Sequence, residues 1–223
     1  MNERGVALIL VLMVMMTLSA LAMSLALMVS TESRITANYR DGLEVRYGAE
    51  AALERVLPDL AAEPDPDRVL AGVSVSAFID GPPGLRRLPD GTFADLHALT
   101  STLNCGRPVC SDDDLNESRD DRPWGTNNPR WRLYGYGPSA RLGAGPSIAP
   151  GESRFYAVVW VADDQSETDG DPLRDGADDE NPGRGRFSLT AHGYGLAGTR
   201  RVVEATVAKD GAALRILSWR EVR

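Results

Sequence analysis

The stretch VALILVLMVMMTLSALAMSLALMV, Val6–Val29, decides how this chain is read. It carries no charge and is interrupted only by Thr17, Ser19 and Ser24. As a helix rising about 1.5 Å per residue it reaches roughly 36 Å, enough to cross a hydrocarbon core of about 30 Å. A cleaved secretory signal has a shorter apolar core, about 7–15 residues, with a small-residue site after it. Here the only such imitation, Ser19-Ala20-Leu21-Ala22, lies inside the apolar run. The reading is therefore a retained single-pass anchor. The leader's amine and Arg4 favour a cytoplasmic N-terminus, and Arg34 and Arg40 on the far side weaken that bias.

Helical character continues past the apolar run. Ile35, Tyr39, Leu43 and Tyr47 recur every four residues, and Leu53, Val56 and Leu57 continue a similar face between charged residues. Pro58 is the first residue that strongly opposes a helix. The spacing predicts one helix, its first half (6–29) in lipid and its second half (30–58) amphipathic and packed on a folded body. Residues 59–223 suffice for one domain with its own core.

Strand signals gather late in the chain. Val69–Ile79 alternates, and residues 81–130 read as loop. Trp131–Tyr136 is a short strand and Phe155–Ala162 a buried one. Phe187–Tyr194 and Arg200–Ala208 form a hairpin across Gly195-Leu196-Ala197-Gly198, and Leu214–Trp219 follows Asp210-Gly211. The expected fold class is α+β, one long N-terminal helix packed on a C-terminal antiparallel β-sheet.

Charge and cysteine use narrow the function. Thirty-two acidic against 24 basic side chains give a net charge of −8, which speaks against a nucleic-acid partner. The two cysteines sit in Cys105-Gly-Arg-Pro-Val-Cys110, where Gly106 and Pro108 let the chain fold back. A disulfide there fits an exported body, and two free thiols in a cytosolic loop are the alternative. No Gly-x-Ser-x-Gly, phosphate loop or dinucleotide fingerprint occurs. His192 lies in a predicted strand and reads as structural. His97 reads as solvated, so no enzyme is expected. The aromatics Trp124, Trp131, Tyr134 and Tyr136 cluster around Gly and Pro. Core packing is their default reading, with an adhesive or subunit-contact surface as the alternative.

Three segments together carry a family resemblance. They are Arg4-Gly5-Val6-Ala7-Leu8-Ile9-Leu10-Val11-Leu12, Thr31-Glu32-Ser33-Arg34-Ile35-Thr36-Ala37-Asn38-Tyr39-Arg40-Asp41 and Ala49-Glu50-Ala51-Ala52-Leu53-Glu54. Over about residues 1–57 the chain resembles type IV minor pilins of the PilX group, and is similar to the K-type minor pseudopilins of type II secretion. The resemblance implies a pilin-like fold, a leader at residues 1–5, cleavage between Gly5 and Val6 by prepilin peptidase, and N-methylation of Val6. It implies an inner-membrane subunit with a periplasmic head, later at the cell surface in a pilus, whose partners are other minor pilins and the major pilin. Major pilins carry Glu at the fifth mature position, where this chain has Leu10. A buried carboxylate needs a cationic partner. Its absence suits a priming or tip subunit rather than a bulk fibre subunit, with support of adhesion at the tip as a further expectation. The rival readings are a type II secretion pseudopilus tip subunit and a membrane-anchored calcium-binding envelope protein.

Asp163–Glu180 holds nine acids against one base, Arg174. Crowded carboxylates repel, and a hard divalent cation relieves the repulsion. Calcium takes six to eight oxygens, so a Gly-containing acidic loop suits it. The spacing is not that of an EF-hand. The use of calcium in such loops by related pseudopilins adds to the expectation. Asp163, Asp169, Asp171, Asp175 and Asp178 are the candidate ligands, and a solvated loop is the alternative. The cluster Asp112–Asp114 with Glu117, Asp120 and Asp121 reads as solvated surface, with a second cation site or a partner contact as the alternative.

Overall fold

The computed structural model describes residues 3–142, 154–167, 170–176 and 183–222, with side chains from residue 7 onward. The chain divides into two compact units, Met1–Arg40 and Asp41–Arg223. In the first, the described residues are entirely helical and belong to α1, Glu3–Ala62. Thr17 within the apolar run and Thr31 just beyond it satisfy their hydroxyls inside the helix. Each hydroxyl donates to a carbonyl of the preceding turn, Val14 and Leu27, at 2.9 Å.

The second unit is built on a five-stranded antiparallel sheet of order β3-β4-β5-β6-β7. Its strands are β3 (Arg132–Pro138), β4 (Phe155–Asp163), β5 (Arg186–Gly195), β6 (Arg200–Asp210) and β7 (Ala213–Val222). Alternation assigns the two faces. Ala157, Val159 and Val161 of β4, with Phe187, Leu189 and Ala191 of β5, form the inner core against α1. Tyr156, Val158 and Trp160 form an outer core. Strand β4 is covered on both faces, which is why it reads as an unbroken apolar run.

The packing stripe of α1 keeps the expected Leu53 and Val56 but not the expected Ile35, Tyr39 and Tyr47. Val45, Ala49, Ala52, Leu53, Val56 and Leu60 are at most 1 % exposed. Each Val or Leu of that stripe contributes about 1.5–3 kcal/mol by burial. Ile35, Tyr39 and Tyr47 are exposed instead. Ile35 and Tyr39 belong to the first unit; for Tyr47 the reason is contact distance. A Cβ at Gly48 would lie 2.6 Å from the Phe155 ring, and one at Gly193 would lie 2.6 Å from the Val45 carbonyl oxygen. Glycine lets helix and sheet meet backbone to backbone. The face with small residues wins over the face with the larger Tyr47.

Helix α1 also outlasts Pro58, ending at Ala62 rather than near residue 58. One proline near a C-terminus removes a single ladder bond, and the last turn is held from outside. Leu60 is buried, and Lys209 Nζ of β6 donates to the Ala61 carbonyl at 2.6 Å. Burial alone would raise the Asp59 carboxyl, but bonds from Ser76, Ala77 and Arg55 outweigh it and hold that pKa low.

The segment expected as a strand over 69–79 begins instead with helix α2, Pro66–Leu70, capped by the Asp65 side chain. Ser76–Phe78 then runs beside β3. Ser76 N–H donates to the Tyr134 carbonyl, and Tyr136 N–H to the Phe78 carbonyl. One sheet edge is covered in this way, and β7 is the other edge. Residues 81–130, expected as loop, hold a second lobe. It comprises a short hairpin, β1 (Leu85–Arg87) with β2 (Phe93–Asp95), then α3 (Leu96–Cys105) and α4 (Asp112–Asn116). Leu96, Leu99 and Leu103 of α3 cover the outer core, and Trp160 Nε1 donates to Thr100 Oγ1 at 2.8 Å.

Gly193→Ala is expected to cost about 1–3 kcal/mol through overpacking against the Val45 carbonyl. Thermal unfolding of the full chain in detergent checks this. A midpoint unchanged from wild type refutes the close helix–sheet approach.

Candidate functional site

The N-terminal surface is one candidate site. Leu8 to Val29 presents large apolar side chains that are each more than half exposed, Leu10 among them at 58 %. No part of the most apolar window of α1 is buried within the chain. So much uncovered apolar surface needs lipid or neighbouring helices around it. Gly5 and Val6 lie within the helical backbone of α1.

The acidic loop is the second candidate. Asp163, at the end of β4, comes together with Glu167 and Asp175, their nearest carboxylate oxygens all within 4.8 Å of one another. Asp163 and Glu167 are 4 % and 2 % exposed. Asp175 is anchored on both sides. Its N–H donates to Asp67 Oδ1 at 2.9 Å, and its Oδ1 accepts from the Gly185 N–H. Burial raises the Asp175 pKa and nearby Asp67 adds to it, against the Gly185 bond and Arg184. Asp171 is not part of this group. It pairs with Arg174 at 3.5 Å on the surface. Asp169 and Asp178 lie outside the described residues. Glu167 was one of the nine acids but not among the expected ligands. Its burial comes from afar. Gly183 packs so closely that a Cβ there would lie 2.5 Å from that of Glu167, and Asn127 Nδ2 donates to the Glu167 carbonyl at 3.0 Å.

Cys105 and Cys110 form the expected disulfide, S–S 2.06 Å. The ring starts at the last residue of α3, encloses its left-handed C-cap Gly106 and precedes the capping box of Ser111 and Asp114 on α4. Two of the clustered aromatics, Tyr134 and Tyr136, are buried in the inner and outer cores, as the packing reading held. Trp131 packs on the outer core, clamped by Asn104 through two backbone bonds of 2.8 and 3.0 Å. Trp124 is 40 % exposed.

His97 is exposed. His192 stands on the outer face of β5 beside Trp160, and its Nδ1 accepts from Arg200 Nη2 at 3.1 Å. Burial, with Arg200 adding, pushes its pKa down to about 3. The imidazole is neutral in the fold, so below about pH 6.5 the unfolded chain takes up a proton that the native state refuses. Stability from this group is complete above pH 6.5 and falls by about 1.4 kcal/mol per pH unit below it. His192→Gln is expected to flatten the fall between pH 6.5 and 5 in thermal scans. Parallel curves for the variant and wild type contradict the assignment.

Helix and sheet together define a pilin-like α+β protein with a membrane-compatible N-terminal helix. Residues 4–54 match the family model described as PilX N-terminal. The chain thus carries a PilX N-terminal region, over less than a quarter of its length. No curated protein and no solved structure matches the chain.

Proposed function

We propose that this protein is a minor pilin that primes assembly of a type IV pilus or caps its tip, with a structural rather than catalytic role. The PilX N-terminal match over residues 4–54 carries the reading. Val6–Val29 holds the chain in the inner membrane, with its head in the periplasm, after prepilin peptidase removes residues 1–5. The same apolar surface then packs against helices of other minor pilins and the major pilin as the filament emerges. Leu10 favours the tip. A subunit without a carboxylate at that depth buries no charge that must find a cation, so it needs no subunit of matching charge at that position.

Mass spectrometry of the mature N-terminus tests this. The expected chain begins with N-methylated Val6. A chain retaining Met1–Gly5 in a strain with active prepilin peptidase overturns the reading.

The carboxylates of Asp163, Glu167 and Asp175 are the best-supported cation site, since three oxygen donors within 4.8 Å suit a hard ion such as calcium. Bound calcium would neutralise their mutual repulsion and tie the end of β4 to the loop before β5. At a hundredfold excess over Kd it is expected to stabilise the fold by about 3 kcal/mol. Calorimetry in calcium against chelator reads this directly. Glu167→Gln should abolish the difference, and identical melting in calcium and chelator refutes the site.

A further inference from the structure

A groove opens in the second unit between the segment 71–83, α3 and β3, and encloses about 670 Å³. That lies within the range of small-ligand pockets, about 300–1,000 Å³. Its wall is mostly apolar: Val75, Ile79, Pro82, Pro83, Leu133 and Tyr136 line it. Ile79 and Leu133 pack on the outer core, and Val75 is 47 % exposed. Hydrogen bonds of the segment turn Val75 outward. Ser74 and Ser76 donate to Glu63 and Asp59 of α1, so the residue between them faces away from that helix.

Most polar groups of the wall are already used. Tyr136 Oη donates to the Gly81 carbonyl, and Thr100 Oγ1 donates to the Leu96 carbonyl while accepting from Trp160. The N–H groups of Ala71, Gly72, Ile79 and Tyr136 are paired within the chain, and Pro82 and Pro83 have none. Arg132 is the exception. Its stem packs against Gly72, where a Cβ would lie 3.5 Å from Arg132 Cδ. Its Nε donates to the Leu70 carbonyl at 3.3 Å. Its other edge, Nη1 with Nη2, has no partner among the described residues, and neither nitrogen is cut off from solvent. Burial alone lowers its pKa, with no carboxylate opposing it. Among the described residues, no acid lines the groove. Asp80, next to Ile79, is held by Arg86 at 3.6 Å. In a chain of net charge −8, this apolar groove carries an open cation.

We propose that the groove binds a free fatty acid, its acyl chain along the apolar wall and its carboxylate end-on to the Nη1–Nη2 edge of Arg132. That edge offers two parallel N–H groups to one carboxylate. The acyl chain asks for no hydrogen bonds from a wall whose donors are used. A peptide or a sugar carries polar groups along its whole length, and each one buried without a partner costs free energy. A phospholipid shares the anionic head and the acyl chemistry but brings a second chain. This inference goes beyond the pilin reading and does not depend on it: processing at Gly5 and binding in the groove can each fail alone.

The full chain, in phosphatidylcholine nanodiscs, is irradiated with dodecanoic acid carrying a mid-chain diazirine, and the labelled peptides are mapped by mass spectrometry. Label on Val6–Val29 reports acid dissolved in the bilayer and serves as the internal reference. Relative to it, label at the groove is expected about tenfold above that elsewhere on the head. Unlabelled dodecanoic acid is expected to displace it, while dodecanol, phosphatidylglycerol and an N-acetylated apolar tripeptide each need about tenfold more. Arg132→Gln is expected to cut the groove label about tenfold with the reference unchanged. Val75→Asp, at a half-exposed wall position, sets a carboxylate in the groove and is expected to do the same. It carries the test should Arg132→Gln fail to fold. Groove label no higher than elsewhere on the head, equal displacement by dodecanol, the phospholipid or the tripeptide, or indifference to either folded variant overturns the proposal.

Discussion

The fold rests on how closely the second half of α1 approaches the inner face of the sheet. Side chains normally hold helix and sheet apart. Here Gly48 on the helix and Gly193 on β5 remove the spacers, so Phe155 and the Val45 backbone occupy the space a Cβ would need. Val45, Ala49, Ala52, Leu53, Val56 and Leu60 then bury completely. Helix register, the orientation of β4 and β5, and the outward direction of Tyr47 all follow from this contact. Covering the inner face leaves the outer face to the second lobe.

Much of this was legible in the sequence. The apolar run, the long helix and every strand of the main sheet were expected within a few residues, because continuous apolar patterning and glycine turns are local signals. The helical stripe is legible at Leu53 and Val56 but not at Tyr47, because periodicity alone favours large apolar residues. Contact distance, which favours small ones, depends on what lies opposite. Helix α3 was hidden in loop-rich sequence although its own signals were present. Asp95 caps its start, Gly106 its end, and Leu96, Leu99 and Leu103 share a face. Pro and Gly on both sides outweighed them.

The candidate sites were less legible, for a different reason. The cysteine ring is a local feature and could be anticipated. The carboxylate cluster and a cleft over the outer sheet face are assembled by strand register and by loops distant in sequence. Glu167 is set by Gly183 and Asn127, and Arg122 lines one cleft with Ser188, Thr206 and Ser218. Composition shows that acids and hydroxyls exist. Only the fold decides which of them share a space.

The central claim is that one apolar helix serves as a membrane stem and later as a packing strut in a filament, while a glycine-fitted head remains folded in both settings. Quantitative proteomics of sheared surface filaments, compared with the inner-membrane fraction of the same cells, tests it most directly. The account predicts the processed chain in the filament fraction at low abundance relative to the major subunit. Filaments that never contain it, from cells whose inner membrane holds it in quantity, would contradict the account.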